Sequence, residues 1–257
     1  MLFVLCLRDC RVPRPERSNT FPPELIMKTA RSLFMLLVIA ATMTSCMGER
    51  MLLRKGERIL FLGDSITEQG VKPKGYVALL QEDLRARHPE LGLEIIGAGI
   101  SGNKVTDLEK RLSKDVIERK PNIVVIYIGI NDVWHWALEN HKGTTKEEFE
   151  RMLREIIARI RYSGSEILLC TPSVIGENPD STVGQNPMLN EYCAISRRVA
   201  FDQGIRLCDL RKAFIAYLTA HNTEKSEKNI LTVDGVHLND AGNRLVADEM
   251  LRFLGEK

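Results

Sequence analysis

From residue 58 onward, short apolar runs alternate with longer segments whose apolar residues recur every three or four positions. Short runs of this kind, rich in β-branched residues, are typical of buried strands. The recurrence in the longer segments is typical of amphipathic helices. Five strands are predicted, at 58–63, 93–97, 122–128, 166–171 and 204–208.

The helical spacing predicts a helix after nearly every strand. The expected helices are 76–87, 104–114, one that begins near 145, 187–202, 210–221 and 240–254. Thr145 and Glu148 form a capping box at the start of the third helix. One apolar face is expected along this helix, formed by Phe149, Leu153, Ile156, Ile157 and Ile160. Strands that alternate with helices predict an α/β domain with a mostly parallel sheet of about five strands, covered on both faces.

Residues with catalytic chemistry follow three of the predicted strands. Ser65 comes after the first strand, Gly102 after the second and Asn131 after the third. In parallel sheets, functional groups gather where the carboxyl ends of the strands meet. Asp234 and His237 lie three residues apart, before the last predicted helix. A serine, a histidine and an aspartate are the parts needed for acyl transfer through a covalent ester.

Ser65 is the predicted nucleophile, at the turn from a strand into a helix. Taken alone, Gly63-Asp64-Ser65 would fit a simple helix cap, but an asparagine and a histidine further along favour the nucleophile. Ser101 is the competing serine, and its neighbour Gly102 favours a tight turn instead. The segment lacks the second glycine of the α/β-hydrolase elbow.

The first 45 residues differ from the rest of the chain in charge. They hold six Lys or Arg and three Asp or Glu, a net charge of +3, whereas the whole chain carries +2, so the remainder carries −1. A nearly neutral body offers no strong basic surface on which nucleic acid could release counterions. Nucleic acid is therefore not an expected partner.

An export signal is predicted near the N-terminus. Lys28 and Arg31 form a basic region, and the apolar run 33–43 follows. This run is too short to cross a bilayer but suits the core of a signal peptide. Small residues then precede Cys46, as in bacterial lipoproteins, in which that cysteine is lipidated and becomes the mature N-terminus. The alternative is ordinary cleavage nearby, with Cys46 removed or left free.

These features divide the chain into four predicted parts. They are an extension at 1–26, a signal peptide at 27–46, a linker at 47–56 and the folded domain at 57–257. Because a signal normally begins a protein, Met27 competes with Met1 as the natural start. We expect an exported protein, periplasmic or extracellular, attached to the membrane if Cys46 is lipidated.

Three of the six cysteines belong to the folded domain: Cys170, Cys193 and Cys208. Cys170 and Cys208 lie in or beside strand-like runs, where a cysteine is usually a small core residue. No spacing of cysteines and histidines indicates zinc. Neither a disulfide framework nor a metal site is predicted.

Four blocks of the sequence together resemble a known family. They are Gly63-Asp64-Ser65, Gly102, Gly129-Ile130-Asn131-Asp132 and Asp234-Gly235-Val236-His237. The set resembles the SGNH-hydrolase superfamily of GDSL esterases and lipases, named after one Ser, Gly, Asn and His from the four blocks. The resemblance covers about residues 58–254, with Ile66 where the GDSL name has Leu. It implies a flavodoxin-like, three-layer α/β/α sandwich.

The resemblance also implies a mechanism without metal or cofactor. His237 would take the proton of Ser65 and return it to the leaving alcohol, while Asp234 orients the imidazole. The oxyanion would bind to the backbone N–H groups of Ser65 and Gly102 and to the side-chain amide of Asn131. Glycine is expected at 102 because it lets the main chain approach the substrate closely.

Other residues near the blocks have two interpretations. Asp132 is expected to hold its own loop, and Asp64 either supports the oxyanion loop or caps a helix. Trp134 and Trp136 either line a substrate pocket or anchor their loop. Pro172 follows the fourth predicted strand and is expected at the pocket edge.

The sequence favours a serine esterase that acts on small acyl esters, such as an acetyl group on a carbohydrate or an aryl ester. Short loops and the lack of a long apolar lid segment support this preference. A lysophospholipase or thioesterase for longer acyl chains is the alternative among enzymes. An inactive glycan-binding module is the alternative of another class, and the presence of both Ser65 and His237 argues against it. The expected partner is a small-molecule or glycan ester.

Overall fold

The computed structural model describes residues 53–139, 142–180 and 182–254. The predicted extension, signal peptide and Cys46 lie outside the described residues. Within these ranges, none of the helices combines the length and apolar character that crossing a bilayer requires.

Five strands form one fully parallel sheet in the order β2-β1-β3-β4-β5. They are β1 (Arg58–Gly63), β2 (Glu94–Gly99), β3 (Ile123–Tyr127), β4 (Glu166–Cys170) and β5 (Arg206–Cys208). This is the strand order of flavodoxin-like, doubly wound sheets. The predicted fold class is confirmed.

Eight α-helices accompany the sheet in the described part of the chain. They are α1 (Ser65–Gly70), α2 (Tyr76–Arg87), α3 (Val105–Asp115), α4 (Ile130–Trp134), α5 (Lys146–Tyr162), α6 (Asn186–Gln203), α7 (Leu210–His221) and α8 (Asp240–Leu251). Two single 3₁₀ turns lie at Pro89–Leu91 and Ile117–Arg119.

The helices form two layers. On one face of the sheet α2 packs against α8, and α8 against α7, while α3, α5 and α6 pack in succession on the other face. Right-handed crossovers explain this division: the chain moves from β1 to β2 in one direction and from β2 through β5 in the other. The reversal of direction lies at β1, next to which an open α/β sheet normally binds its ligand.

The core explains why these segments fold as they do. β3 is the middle strand, and all five of its side chains are buried, as its β-branched sequence predicts. The five apolar residues expected on one face of α5 are also buried. Thr145 is the N-cap of this helix, and its side chain accepts a hydrogen bond from the Glu148 N–H at 3.3 Å.

Several element boundaries differ from the prediction by one to three residues; β2, for example, ends at Gly99 instead of residue 97. β5 begins at Arg206 instead of residue 204, because Gly204 ends α6 with a positive φ of 60°. The last helix ends at Leu251 instead of residue 254, and Leu254 is buried beyond its end.

The three cysteines of the described domain are buried and form no disulfide, and the burial of Cys170 and Cys208 is that expected of core residues. Cys170 and Cys208 occupy facing positions on β4 and β5. Burial raises the pKa of the Cys193 thiol to about 12, which keeps it protonated and chemically inert at neutral pH.

Candidate active site

The four blocks of the sequence meet at the carboxyl edge of the sheet. Gly63 ends β1, Gly99 ends β2, and α4 begins three residues after the end of β3. The segment before α8 forms a hairpin that is closed by a bridge between Thr232 and Leu238, and its His237 reaches Ser65 at this edge. The fold therefore brings together the residues that the sequence placed in separate blocks.

A serine, a histidine and an aspartate form a continuous hydrogen-bonded line. Ser65 Oγ lies 3.0 Å from Nε2 of His237, although 172 residues separate them in sequence. The other ring nitrogen of His237, Nδ1, lies 2.7 Å from Oδ2 of Asp234. An imidazole that donates from Nδ1 to a carboxylate presents the lone pair of Nε2 to the serine hydroxyl, as in serine hydrolases.

Asp234 is held by its own turn. Its Oδ1 accepts the backbone N–H groups of Val236 at 2.9 Å and His237 at 2.8 Å. Burial alone would raise the pKa of Asp234, but its hydrogen bonds to the His237 ring and to these two N–H groups outweigh burial and keep the pKa below its ordinary value. The carboxylate is therefore ionised and fixed in orientation at neutral pH.

Ser65 begins α1 directly after β1, as predicted, and is 8% exposed. Asp64 is the N-cap of this helix and accepts the Ile66 N–H at 3.0 Å. Its carboxyl group is buried, and this burial raises its pKa to about 7, with a further contribution from the negative charge of Asp132. The structure thus places Asp64 beneath Ser65 as a capping residue.

Gly102 lies in a tight turn between Ile100 and Asn103, closed by a hydrogen bond from the Asn103 N–H to the Ile100 carbonyl at 3.2 Å. Its φ is +76°, and a Cβ atom at this position would meet nothing within 4 Å. The local requirement for glycine is therefore the backbone conformation, and crowding by protein atoms does not contribute.

Asn131 is buried at the start of α4, and its Nδ2 donates to the carbonyl of Asn103 at 3.0 Å. The same turn is held from the other side by Arg111, whose Nε donates to Oδ1 of Asn103 at 2.8 Å. Nη2 of Arg111 also donates to the carbonyls of Gly63 and Ala98. These bonds connect the ends of β1 and β2 with the turn that carries Gly102.

Two further carboxylates hold this region. Glu68 accepts both the N–H and the hydroxyl of Ser101, at 2.6 and 2.5 Å, and the hydroxyl contact is the main reason that the pKa of Glu68 is lowered. Asp132 is buried and accepts the Val105 N–H on both carboxylate oxygens at 3.2 Å. Asp132 therefore holds its loop to the start of α3, the role expected from the sequence.

Gly129 and the residues expected at the pocket lie around His237 and α4. Trp134 contacts the His237 ring edge to face, with centroids 6.1 Å apart. Trp136 is 42% exposed. Pro172 is buried, and its Cγ lies 2.7 Å from the position of a Cβ on Gly129, whose φ is +120°. Pro172 thus packs beneath the loop that leads to Asn131.

Sequence reasoning missed Glu68, Arg111 and a buried glutamate, Glu177. Glu68 lies one helical turn after Ser65 and Arg111 lies within an amphipathic helix, so both match the pattern of ordinary surface residues. Glu177 lies in a polar loop, where a glutamate is normally solvated. No local signal in the sequence identifies these residues, because each of them binds a backbone group of another segment that only the fold brings close. Within the described ranges, no cluster of three or more His, Cys, Asp or Glu side chains is arranged to hold a metal ion.

The parallel sheet, with a serine, a histidine and an aspartate in contact at its carboxyl edge, has the features of a serine-type hydrolase. The chain matches the model of the GDSL-like lipase/acylhydrolase family over residues 61–245. It belongs to this family and is a carboxylic ester hydrolase.

Two esterases and a lipoprotein are among its similar proteins. An acetylxylan esterase from Geobacillus stearothermophilus is 34% identical over 217 residues, which cover 78% of this chain and 94% of that protein. The crystal structure of an acetyl xylan esterase, AlAXEase, has 44% sequence identity and a TM-score of 0.73, and the match covers 76% of this chain and 98% of that one. An uncharacterized lipoprotein from Bacillus subtilis is 26% identical over 245 residues, 86% of this chain and 95% of that protein.

The buried carboxyl groups predict a specific dependence of stability on pH. Burial raises the pKa of Asp132 from 3.8 to about 7, as it does that of Asp64. Between pH 3.8 and about pH 7, Asp64 and Asp132 bind more protons in the native protein than in the unfolded chain. Both groups therefore make the free energy of unfolding fall as the pH rises through this interval. In the D132N variant the amide at this position would not titrate. We therefore expect D132N to lose stability less steeply over this interval, by up to ~1.4 kcal/mol per pH unit.

Urea unfolding at several pH values between 4 and 7 measures this slope. D240N is the matched control, since Asp240 is exposed and pairs with Lys74 at the surface, and it should keep the slope of the wild type. Identical slopes for D132N and the wild type would contradict the assignment of a raised pKa to Asp132.

Proposed function

We propose that this chain removes acetyl groups from a carbohydrate of the acetylated xylan type, through an acyl-enzyme intermediate on Ser65. The observation that carries the proposal is the line of contacts from Ser65 through His237 to Asp234. The substrate class is supported by the acetylxylan esterases to which the chain is similar, which are 34% and 44% identical to it.

In the proposed reaction, Ser65 Oγ attacks the acetyl carbonyl carbon while Nε2 of His237 takes its proton. The resulting imidazolium is stabilised by Asp234, which already faces Nδ1. When the tetrahedral intermediate collapses, the same proton passes from Nε2 to the sugar oxygen that leaves. A water molecule then repeats the sequence on the acyl-enzyme, with His237 as the base, and releases acetate.

The negative charge of the tetrahedral intermediate requires donors that are already in position. We assign this role to the backbone N–H groups of Ser65 and Gly102 and to the side-chain amide of Asn131. An amide nitrogen carries two hydrogens. One of those on Asn131 is used by the Asn103 carbonyl, which orients the group and leaves the second hydrogen for the oxyanion. Donors fixed in advance need no reorganisation during the reaction.

The proposed substrate pocket lies beside His237. Trp134 is in contact with the catalytic imidazole, and Trp136 follows it with an exposed ring surface. Aromatic faces of this kind suit the apolar faces of a sugar ring, so we assign the sugar side of the pocket to these two residues. Asp64 and Pro172 are buried beneath the site and would shape the pocket from below.

Replacing Asn131 tests the oxyanion assignment. We expect N131A to lower kcat about a hundred-fold, because the loss of one oxyanion donor costs ~3 kcal/mol of the barrier. KM for p-nitrophenyl acetate should change much less. N122A is the control: Asn122 accepts the Arg58 N–H at the opposite edge of the sheet, and its kcat should stay close to the wild type. A kcat of N131A within threefold of the wild type would remove Asn131 from the mechanism.

A panel of esters tests the proposed acyl group and alcohol. We expect p-nitrophenyl acetate to be cleaved faster than p-nitrophenyl decanoate, and acetylated xylo-oligosaccharides to release acetate. S65A should retain only the background rate with each ester, because the nucleophile is absent. Faster cleavage of the decanoate would contradict the proposed small-acyl specificity, and full activity of S65A would contradict the assigned nucleophile.

We further propose that the protein is exported and anchored by a lipid on Cys46. The basic region, the short apolar run and the small residues before Cys46 support this location, as does the similarity to a protein named as a lipoprotein. Cells that express the full chain should incorporate an alkyne-labelled fatty acid into it, and C46S should abolish the label. Equal labelling of C46S would contradict the anchor.

A further inference from the structure

Glu177 is a fully buried carboxylate in the loop that follows β4, with 0% of its surface exposed. Its loop is polar, but its side chain turns inward to the segment 222–235, which precedes the catalytic histidine. In the part of the chain that the structure describes, no Lys or Arg forms an ion pair with it. A buried carboxylate is costly unless hydrogen bonds replace its lost hydration, so its surroundings must supply them.

Four donors from one short segment bind this carboxylate. Oε2 accepts the Ile230 N–H at 2.7 Å, and Oε1 accepts the Leu231 N–H at 2.6 Å. Oε1 also accepts the N–H and the hydroxyl of Thr232, at 2.5 and 2.7 Å. Three consecutive N–H groups that converge on one anion form a concave backbone nest. The bound anion here is the protein's own glutamate, which fixes the conformation of residues 230–232.

The hydrogen bonds continue from this nest to the catalytic turn. The Thr232 hydroxyl, which donates to Glu177, accepts the N–H of Gly235 at 3.0 Å. The carbonyl of Gly235 accepts the N–H of Gly176, the neighbour of Glu177, at 2.8 Å. Gly235 lies between Asp234 and His237, so the turn is connected to the loop after β4 twice, directly through the Gly235 carbonyl and through Thr232 from the Gly235 N–H.

The loop of Glu177 is itself anchored to rigid elements. Its own N–H donates to the Glu227 carbonyl at 3.0 Å, and its carbonyl accepts from Nδ2 of Asn222 at 2.8 Å. Asn222 directly follows α7. The turn that carries Asp234 and His237 is thereby held to β4 and to the end of α7, beyond the bonds within the turn itself.

We propose that Glu177 is a positioning residue that keeps the Asp234–His237 turn at the distance from Ser65 that proton transfer requires. The proposal rests on the proposed function of Ser65, Asp234 and His237. Glu177 acts through the turn and does not touch the substrate. A shift of about 1 Å in a catalytic group can lower the rate about a hundred-fold. We therefore expect the loss of Glu177 to lower kcat more than it changes KM.

Glutamine is the sharpest replacement, because it keeps the shape of glutamate and loses one acceptor. With its oxygen on the three donors at Oε1, its NH₂ group would face the Ile230 N–H, donor against donor. We expect E177Q to lower kcat for p-nitrophenyl acetate about tenfold or more with KM within about twofold. Hydrogen exchange at residues 230–235 should also be faster in the variant, measured by mass spectrometry on a peptide that covers them.

Thr232 provides a second, independent pair of variants. T232V keeps the shape of the side chain but removes the bond from the hydroxyl to Glu177 and the bond that the hydroxyl accepts from Gly235, while the backbone N–H of residue 232 still reaches Glu177. T232S keeps the hydroxyl. We expect T232V to lower kcat in the same direction as E177Q, and T232S to recover most of that loss. This comparison remains available if E177Q does not fold.

A matched control separates positioning from general stability. Ser165 is also buried and polar, but its hydroxyl binds the Pro121 carbonyl at the opposite edge of the sheet. S165A should lower Tm while kcat at a temperature well below Tm stays unchanged. In a D234A background, E177Q should cost much less than in the wild type, because residues that act through one group are not additive.

The outcomes distinguish this inference from the proposed function. A wild-type protein that cleaves no ester would contradict the proposed function, and the reaction rate of Ser65 with a fluorophosphonate together with the exchange data would still decide the role of Glu177. Unchanged kcat in E177Q and T232V would overturn the inference, as would losses no larger than that of S165A. Faster exchange at residues 230–235 with an unchanged kcat would also overturn it, since the turn would then be stabilised but not positioned.

Discussion

Carboxyl groups that accept backbone N–H groups hold the loops around Ser65, His237 and Asp234, the three residues of the proposed catalytic line. The pairs are Asp64 with Ile66, Glu68 with Ser101, Asp132 with Val105, Glu177 with residues 230–232, and Asp234 with Val236 and His237. A carboxylate is an acceptor on both oxygens and can satisfy several N–H groups at once. At these points the chain leaves a strand or helix, and its N–H groups no longer have partners in the sheet or helix. A carboxyl group takes the place of those partners.

Burying these carboxyl groups has a thermodynamic cost. Asp64 and Asp132 are both buried, and burial raises the pKa of each carboxyl group to about 7 because the charged form has lost its hydration. Asp234 differs, since it is partly open to solvent and receives hydrogen bonds from His237, and its pKa is lowered. The site therefore combines two buried carboxyl groups that resist ionisation with one that stays ionised beside the imidazole, where a positive charge would develop in the proposed reaction.

The parallel sheet explains why loops from distant parts of the chain can meet. All five strands end at the same edge. The residues after β1, β2 and β3 are therefore neighbours in space although they are far apart in sequence. The strand order reverses at β1, and Ser65 lies directly after that strand. The histidine comes from outside the sheet, on a segment between α7 and α8, and its approach to Ser65 needs separate support. Glu177 and Thr232 connect this segment with the loop after β4.

The sequence by itself determined the fold class, the five strands, most helix boundaries and the identity of the residues that meet at the site. These features depend on local periodicity, on caps such as Thr145, and on short blocks whose residue types are chemically distinctive. Only the tertiary structure decided the contacts of Glu68, Arg111 and Glu177, because each has a partner in another segment of the chain and each resembles an ordinary surface residue locally. It also decided the reason for glycine at 102, a positive φ in an uncrowded turn, and the start of β5 after Gly204, since backbone conformation at a single residue depends on how the neighbouring elements pack.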